Sequence, residues 1–66
     1  MTREEAFEVL HAMYMAVEDA EYHEFRRREF HDDPVGANQI ADWIDRKKQE
    51  INDFKEKHHD LLWPEA

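Results

Sequence analysis

The sequence predicts an all-α protein: a two-helix antiparallel hairpin that dimerises into a four-helix bundle or coiled-coil dimer. Three observations carry that expectation. Apolar residues recur at alternating steps of three and four along two long stretches, which marks a helix face and not a strand. One cluster of turn-forming residues, His31-Asp32-Asp33-Pro34-Val35-Gly36, separates the two stretches. The 66-residue chain also has one Gly, two Pro and no Cys, too few turn formers for a β-rich fold and no disulfide to staple a small one.

The first helix is expected over about 3–31. Thr2 and Glu5 have the spacing of a capping box, in which the hydroxyl takes the amide of the third helical residue and the carboxylate reaches back. Glu4, Glu5 and Glu8 suit the positive end of the helix dipole. Ala6, Leu10, Met13, Val17 and Ala20 then form the seam, widened by Phe7 and Tyr14 on one flank and by Val9 and Ala16 on the other.

The turn is expected over about 32–36, with Asp33 as N-cap and Pro34 in the first helical position, and Asn38 as a fallback cap. The second helix is placed over about 37–62, closed by Pro64, and carries Ala37, Ile40, Ile44, Lys47, Ile51, Phe54, His58 and Leu61 on its seam. Residues 1–66 thus form a single helical-hairpin domain. Counting outward from a turn near 33–35 pairs Met13 with Phe54, Val17 with Ile51 and Glu21 with Lys47. Residues 1–25 hold seven acids and one Arg, while residues 46–57 hold five bases and three acids, so the antiparallel pairing is also favoured by charge. The expected core is Leu10, Met13, Val17, Ile40, Ile44, Ile51, Phe54 and Leu61. Glu21, Glu24 and Lys47 interrupt the seams and are expected as a polar layer that fixes register.

Leu, Ile, Val and Phe number only 13 of 66, close to the range of disordered chains. The apolar arc of helix 1 spans roughly half the circumference, more than one partner helix covers. A homodimer is the expected remedy.

Chemistry is scarce. There is no Ser or Cys, the single Thr is a helix cap, and no Gly-rich phosphate loop exists, so no catalytic residues, no small-molecule substrate and no enzyme are expected. No metal or cofactor is expected either. Glu8-x-x-His11 occurs once, and neighbours such as His58 and His59 point about 100° apart on a helix. The first residues lack the apolar core of a secretory signal, and the longest apolar run, Ala12 to Val17, is six residues, so a cytoplasmic protein without a membrane span is expected.

The net charge of −8 disfavours nonspecific phosphate binding, yet two basic islands stand out. Arg26-Arg27-Arg28 lies among Tyr22, Phe25 and Phe30, and Arg46-Lys47-Lys48 lies close to Trp43. Tyr22, Phe25, Arg26, Arg27, Arg28, Arg46 and Lys48 are therefore the candidate residues for binding RNA or a protein partner. The plainer account is that these bases neutralise a helix C-terminus and nearby acids.

A capped first helix, one tight break and a heptad-like second helix in a short chain resemble the Rop family of small plasmid RNA-binding regulators. The resemblance is architectural, covers nearly the whole chain and matches no functional motif. It implies dimerisation into a four-helix bundle and RNA binding through the paired first helices, although helix 1 here is acidic outside Arg26–Arg28. In style the chain is also similar to small bacteriophage proteins that bind host factors. Three functions follow as expectations. The first is a dimeric regulatory protein that binds and modulates a host or cellular protein. The second is a Rop-like RNA binder, and the third an acidic mimic of nucleic acid that uses Glu4, Glu8, Glu18 and Asp19.

Overall fold

The computed structural model describes residues 1–64; the last two residues of the expected 1–66 domain lie outside the described residues. The protein is all-helical among them. Helix α1 spans Arg3–Glu29, α2 spans Pro34–Lys57 and the one-turn α3 spans His59–Leu62. The two long helices pack against each other as an antiparallel hairpin 47 Å long and 16–18 Å across.

The start of α1 follows from its first five residues. Thr2 Oγ1 accepts the Glu5 amide at 3.1 Å, and the Thr2 amide donates to Glu5 Oε1 at 3.0 Å, closing the capping box. At its far end the Arg26 carbonyl accepts the Phe30 and His31 amides, and the Arg27 carbonyl accepts the Asp33 amide at 2.8 Å. These bonds satisfy carbonyls that a helix end otherwise leaves to solvent. Asp32 takes up the reversal with φ 48°, a left-handed conformation that Asp tolerates better than most residues.

Helix α2 begins at Pro34, three residues before the expected boundary. Asp33 caps it, its Oδ1 accepting the Gly36 amide at 3.0 Å, and Pro34 fills the first helical position at no hydrogen-bond cost. The fallback cap Asn38 lies inside the helix. Asp33 Oδ2 also accepts from Arg27 Nη1 at 3.0 Å, so one carboxylate caps α2 and ties it to α1. Gly36, the only glycine, leaves room for that arrangement. A Cβ there would collide with the Asp33 carboxylate and come within 3.1 Å of the Arg27 guanidinium.

The second helix does not run unbroken to residue 62. It ends at Lys57, with His58 at φ −111° and ψ 23° and its ring tilted on Phe54 at 4.5 Å. The His58 carbonyl then accepts the Leu61 and Leu62 amides, starting α3 across the open end of the hairpin. The break decides which leucine is core. Leu62 is fully buried, whereas Leu61, the expected core residue, is half-buried.

The buried residues are Ala6, Leu10, Val17, Ala37, Ile44, Ile51 and Leu62. Of the other expected core positions, Met13, Ile40 and Phe54 are half-buried and packed against this row. Cross-helix contacts fix the register. Lys55 Nζ sits 5.3 Å from the Tyr14 ring centroid, and Arg28 Nη2 donates to Asn38 Oδ1 at 2.9 Å. Both pairs fall within two positions of the expected alignment.

Replacing Gly by Ala inside a helix ordinarily stabilises by up to about 1 kcal/mol. Gly36→Ala is expected to do the reverse, lowering stability by about 1 kcal/mol through the displaced cap. Urea denaturation followed by far-UV circular dichroism decides the sign.

Candidate interaction surfaces

The basic turn is the densest set of functional groups. Arg26, Arg27 and Arg28 occupy the last turn of α1, where cations offset the negative end of the helix dipole. Consecutive residues point about 100° apart, so the three guanidinia go to different places. Arg27 holds Asp33. Arg28 pairs with Glu24 at 3.0 Å and crosses to Asn38. Arg26 lies over the Tyr22 ring, 5.9 Å from its centroid. An open depression of about 520 Å³ is lined by His23, Arg26, Arg27, His31 and Asp33, with His23 Nε2 3.5 Å from Asp19.

Each ion pair is exposed and screened by solvent, so it adds little to stability. Their effect is placement. Two of the three arginines are engaged in closing the hairpin, which leaves Arg26 the freest of the cluster. Arg46 and Lys48 stand on the exposed part of α2, two positions and therefore about 160° apart, so they do not converge on one phosphate track.

The expected polar layer is not formed. Lys47 is level with residues 19–22 of α1, judged from the Tyr14–Lys55 and Arg28–Asn38 contacts. Glu21, however, projects from the flank that carries Tyr14, whereas Lys47 projects from the flank that carries Trp43. Lys47 Nζ pairs instead with Glu50 at 3.0 Å and lies 5.3 Å from the Trp43 ring centroid. Glu24 is half-buried and taken by Arg28, and Glu21 is exposed. Equal height along two helices does not bring side chains together when they leave on opposite flanks.

Several large apolar side chains remain outside. Met15 and Tyr22 form an outer ridge on α1 with Glu18 and Asp19, around a cleft of about 310 Å³. Phe25 continues this ridge and meets Phe30 edge-on at 5.8 Å. Trp63 sits at the opposite end of the hairpin against His59, with ring centroids 5.6 Å apart. A second apolar surface, not anticipated as a site, is a groove of about 340 Å³ between the helices. Ala16, Ala20, Ile40 and Trp43 supply its apolar lining, and Asp19, His23 and Arg27 line its rim and turn end. The flank-widening residues of helix 1 were its only trace in the sequence.

Among the described residues no three His, Asp or Glu side chains gather as a metal site, and no helix is long and apolar enough to cross a membrane. Glu8 and His11 are both exposed on α1. No family model, curated protein or solved structure matches the chain.

Two carboxyls titrate below their ordinary values. Glu5 is lowered by the Thr2 backbone amide and then the Thr2 hydroxyl. Asp33 is lowered by the Gly36 amide and then the Arg27 guanidinium. A depressed folded pKa adds stability above the unfolded value of 3.8 and loses it as pH falls through the lower folded value. Asp33→Asn keeps a capping oxygen but removes the charge. The wild-type advantage in Tm over this variant is therefore expected to be greatest near neutrality and to vanish as pH drops below 3.8. A pH series of paired thermal melts measures it.

Proposed function

We propose that the protein is a non-enzymatic, cytoplasmic helical-hairpin interaction protein that acts as a dimer and binds and modulates a protein partner. The observation that carries this proposal is the outer ridge of α1. Met15, Tyr22 and Phe25 on α1, and Phe30 just beyond its end, are 48–69% exposed. A row of aromatic and thioether side chains at helical spacing is what a partner's hydrophobic groove accepts. Tyr22 under Arg26 combines the two side-chain types most enriched at binding hot spots.

The electrostatics add selectivity. From Glu4 to Glu24 the helix carries seven carboxylates and no Lys or Arg, so a groove rimmed by basic residues is steered toward the ridge and an acidic one is repelled. RNA binding through the basic turn is the alternative, supported by the depression beside Arg26. It has less to work with, because Arg27 and Arg28 are already bonded to Asp33, Glu24 and Asn38.

Tagged protein incubated with nuclease-treated bacterial lysate is expected to retain a protein. Tyr22→Ala combined with Phe25→Ala should weaken that capture at least about tenfold. Both side chains are exposed, so helicity should not change. Capture of RNA alone from a parallel lysate without nuclease, lost steeply between low and moderate salt, would favour the alternative.

A further inference from the structure

The two sides of the hairpin are not equivalent. On one side Tyr14 meets Lys55 and Arg28 meets Asn38, so long side chains bridge and cover the seam. On the other side the Arg27–Asp33 pair closes the seam near the turn, and beyond it the flank is open. Ala16 and Ala20 lie on α1 beside Ile40 and Trp43 of α2, with the half-buried Phe54 and the exposed Val9 on the same two helix faces toward the open end. At 100° per residue Val9, Ala16 and Ala20 fall within 40° of one another, as do Trp43, Lys47 and Phe54.

The area of surface is informative. The chain exposes 5152 Å². A compact monomer of 8.1 kDa presents about 4,500 Å². The excess of roughly 650 Å² belongs to the elongated 47 × 18 × 16 Å hairpin, which leaves its flanks uncovered along their length. The radius of gyration agrees, at 14.9 Å against about 11 Å for a compact chain of this length.

Resting on the dimer named above, we infer that the open flank is the interface with a second copy, with α1 of each chain over α2 of the other and both turns at the same end. The two halves of the flank are unlike and complementary. The α1 half is shallow because its alanines are small, and the α2 half stands higher because Trp43, Ile40 and Phe54 are large, although each is partly buried against the core. A two-fold axis along the hairpin sets each protruding half over the other copy's shallow half, the self-complementarity a closed isologous dimer needs. The reverse arrangement, with turns at opposite ends, sets alanine on alanine and ring on ring and leaves a wedge-shaped gap. Charge points the same way. Lys47, on the edge of the protruding half, is level with residues 19–22, and Asp19 lines the shallow half. Stacking α2 on the second copy's α1 therefore brings the Lys47 ammonium, held within one chain by Glu50, toward the Asp19 carboxylate beside His23 of the other.

Two measurements on the full chain test this. Sedimentation equilibrium of wild type and Ala16→Glu, with circular dichroism as the folding control, reads the face. Ala16 is exposed, so the variant should stay helical yet sediment as a monomer at tens of micromolar where wild type is dimeric. The chain has no Cys, so Val35→Cys at the turn takes a single spin label, and the label–label distance reads the arrangement. A separation near the 16–18 Å width of the hairpin is expected. One approaching its 47 Å length overturns the arrangement while leaving a dimer in place. A dimer unaffected by Ala16→Glu overturns the assigned face. A wild-type monomer at these concentrations overturns the inference together with the dimer, and leaves partner capture through the α1 ridge to stand or fall by itself.

Discussion

The Asp33 carboxylate is the point at which the chain becomes a hairpin. One oxygen caps α2 through the Gly36 amide and the other holds the Arg27 guanidinium of α1. The arrangement is compact because its parts are adjacent in sequence: Asp32 supplies the left-handed reversal, Pro34 the first helical φ, and Gly36 the space for the carboxylate. The Arg28–Asn38 and Tyr14–Lys55 contacts then hold the register farther along the helices. A core of seven buried residues, three of them alanine or a last-turn leucine, would by itself tolerate sliding of one helix along the other.

With the direction fixed at one end, the rest of the structure follows from the length of the helices. Two cylinders in contact bury one stripe each, and α1 brings more apolar residues than one stripe holds. The surplus goes to two places. The Ala16, Ala20, Ile40 and Trp43 groove lies beside the seam, and the Met15, Tyr22 and Phe25 ridge lies on the far side of α1. The groove carries Asp19, His23 and Arg27 beside its apolar residues, and the ridge is bordered by Glu18 and Asp19. The proposed self-association and the proposed partner binding draw on these two separate surfaces.

The bases are used economically in a chain of net charge −8. Arg27 and Arg28 stitch the turn, Lys55 covers Tyr14, and Lys47 covers Trp43. Each contact places a cation over a ring or against a carboxylate within the hairpin. The acids of α1 have fewer such partners, so the outward field of the first helix stays negative.

The sequence by itself determined the helices, the capping box at Thr2, the turn at Asp33-Pro34 and the antiparallel pairing, because each rests on contacts within about four residues or on the height of a residue along its helix. Val17, Ile44 and Ile51 were legible for the same reason: they lie at the middle of their stripes, where an error of one position in phase changes little. The tertiary structure alone decided what happens at the edges of those stripes. Lys47 leaves Glu21 for Glu50 and Trp43, Leu62 displaces Leu61 from the core once α2 breaks at His58, and two of three clustered arginines bond across the turn at the surface. The physical reason is rotational. Each residue turns the side chain by 100°, so a flank is assigned only when the packing of the two helices and the ends of each are known, and no linear pattern contains either.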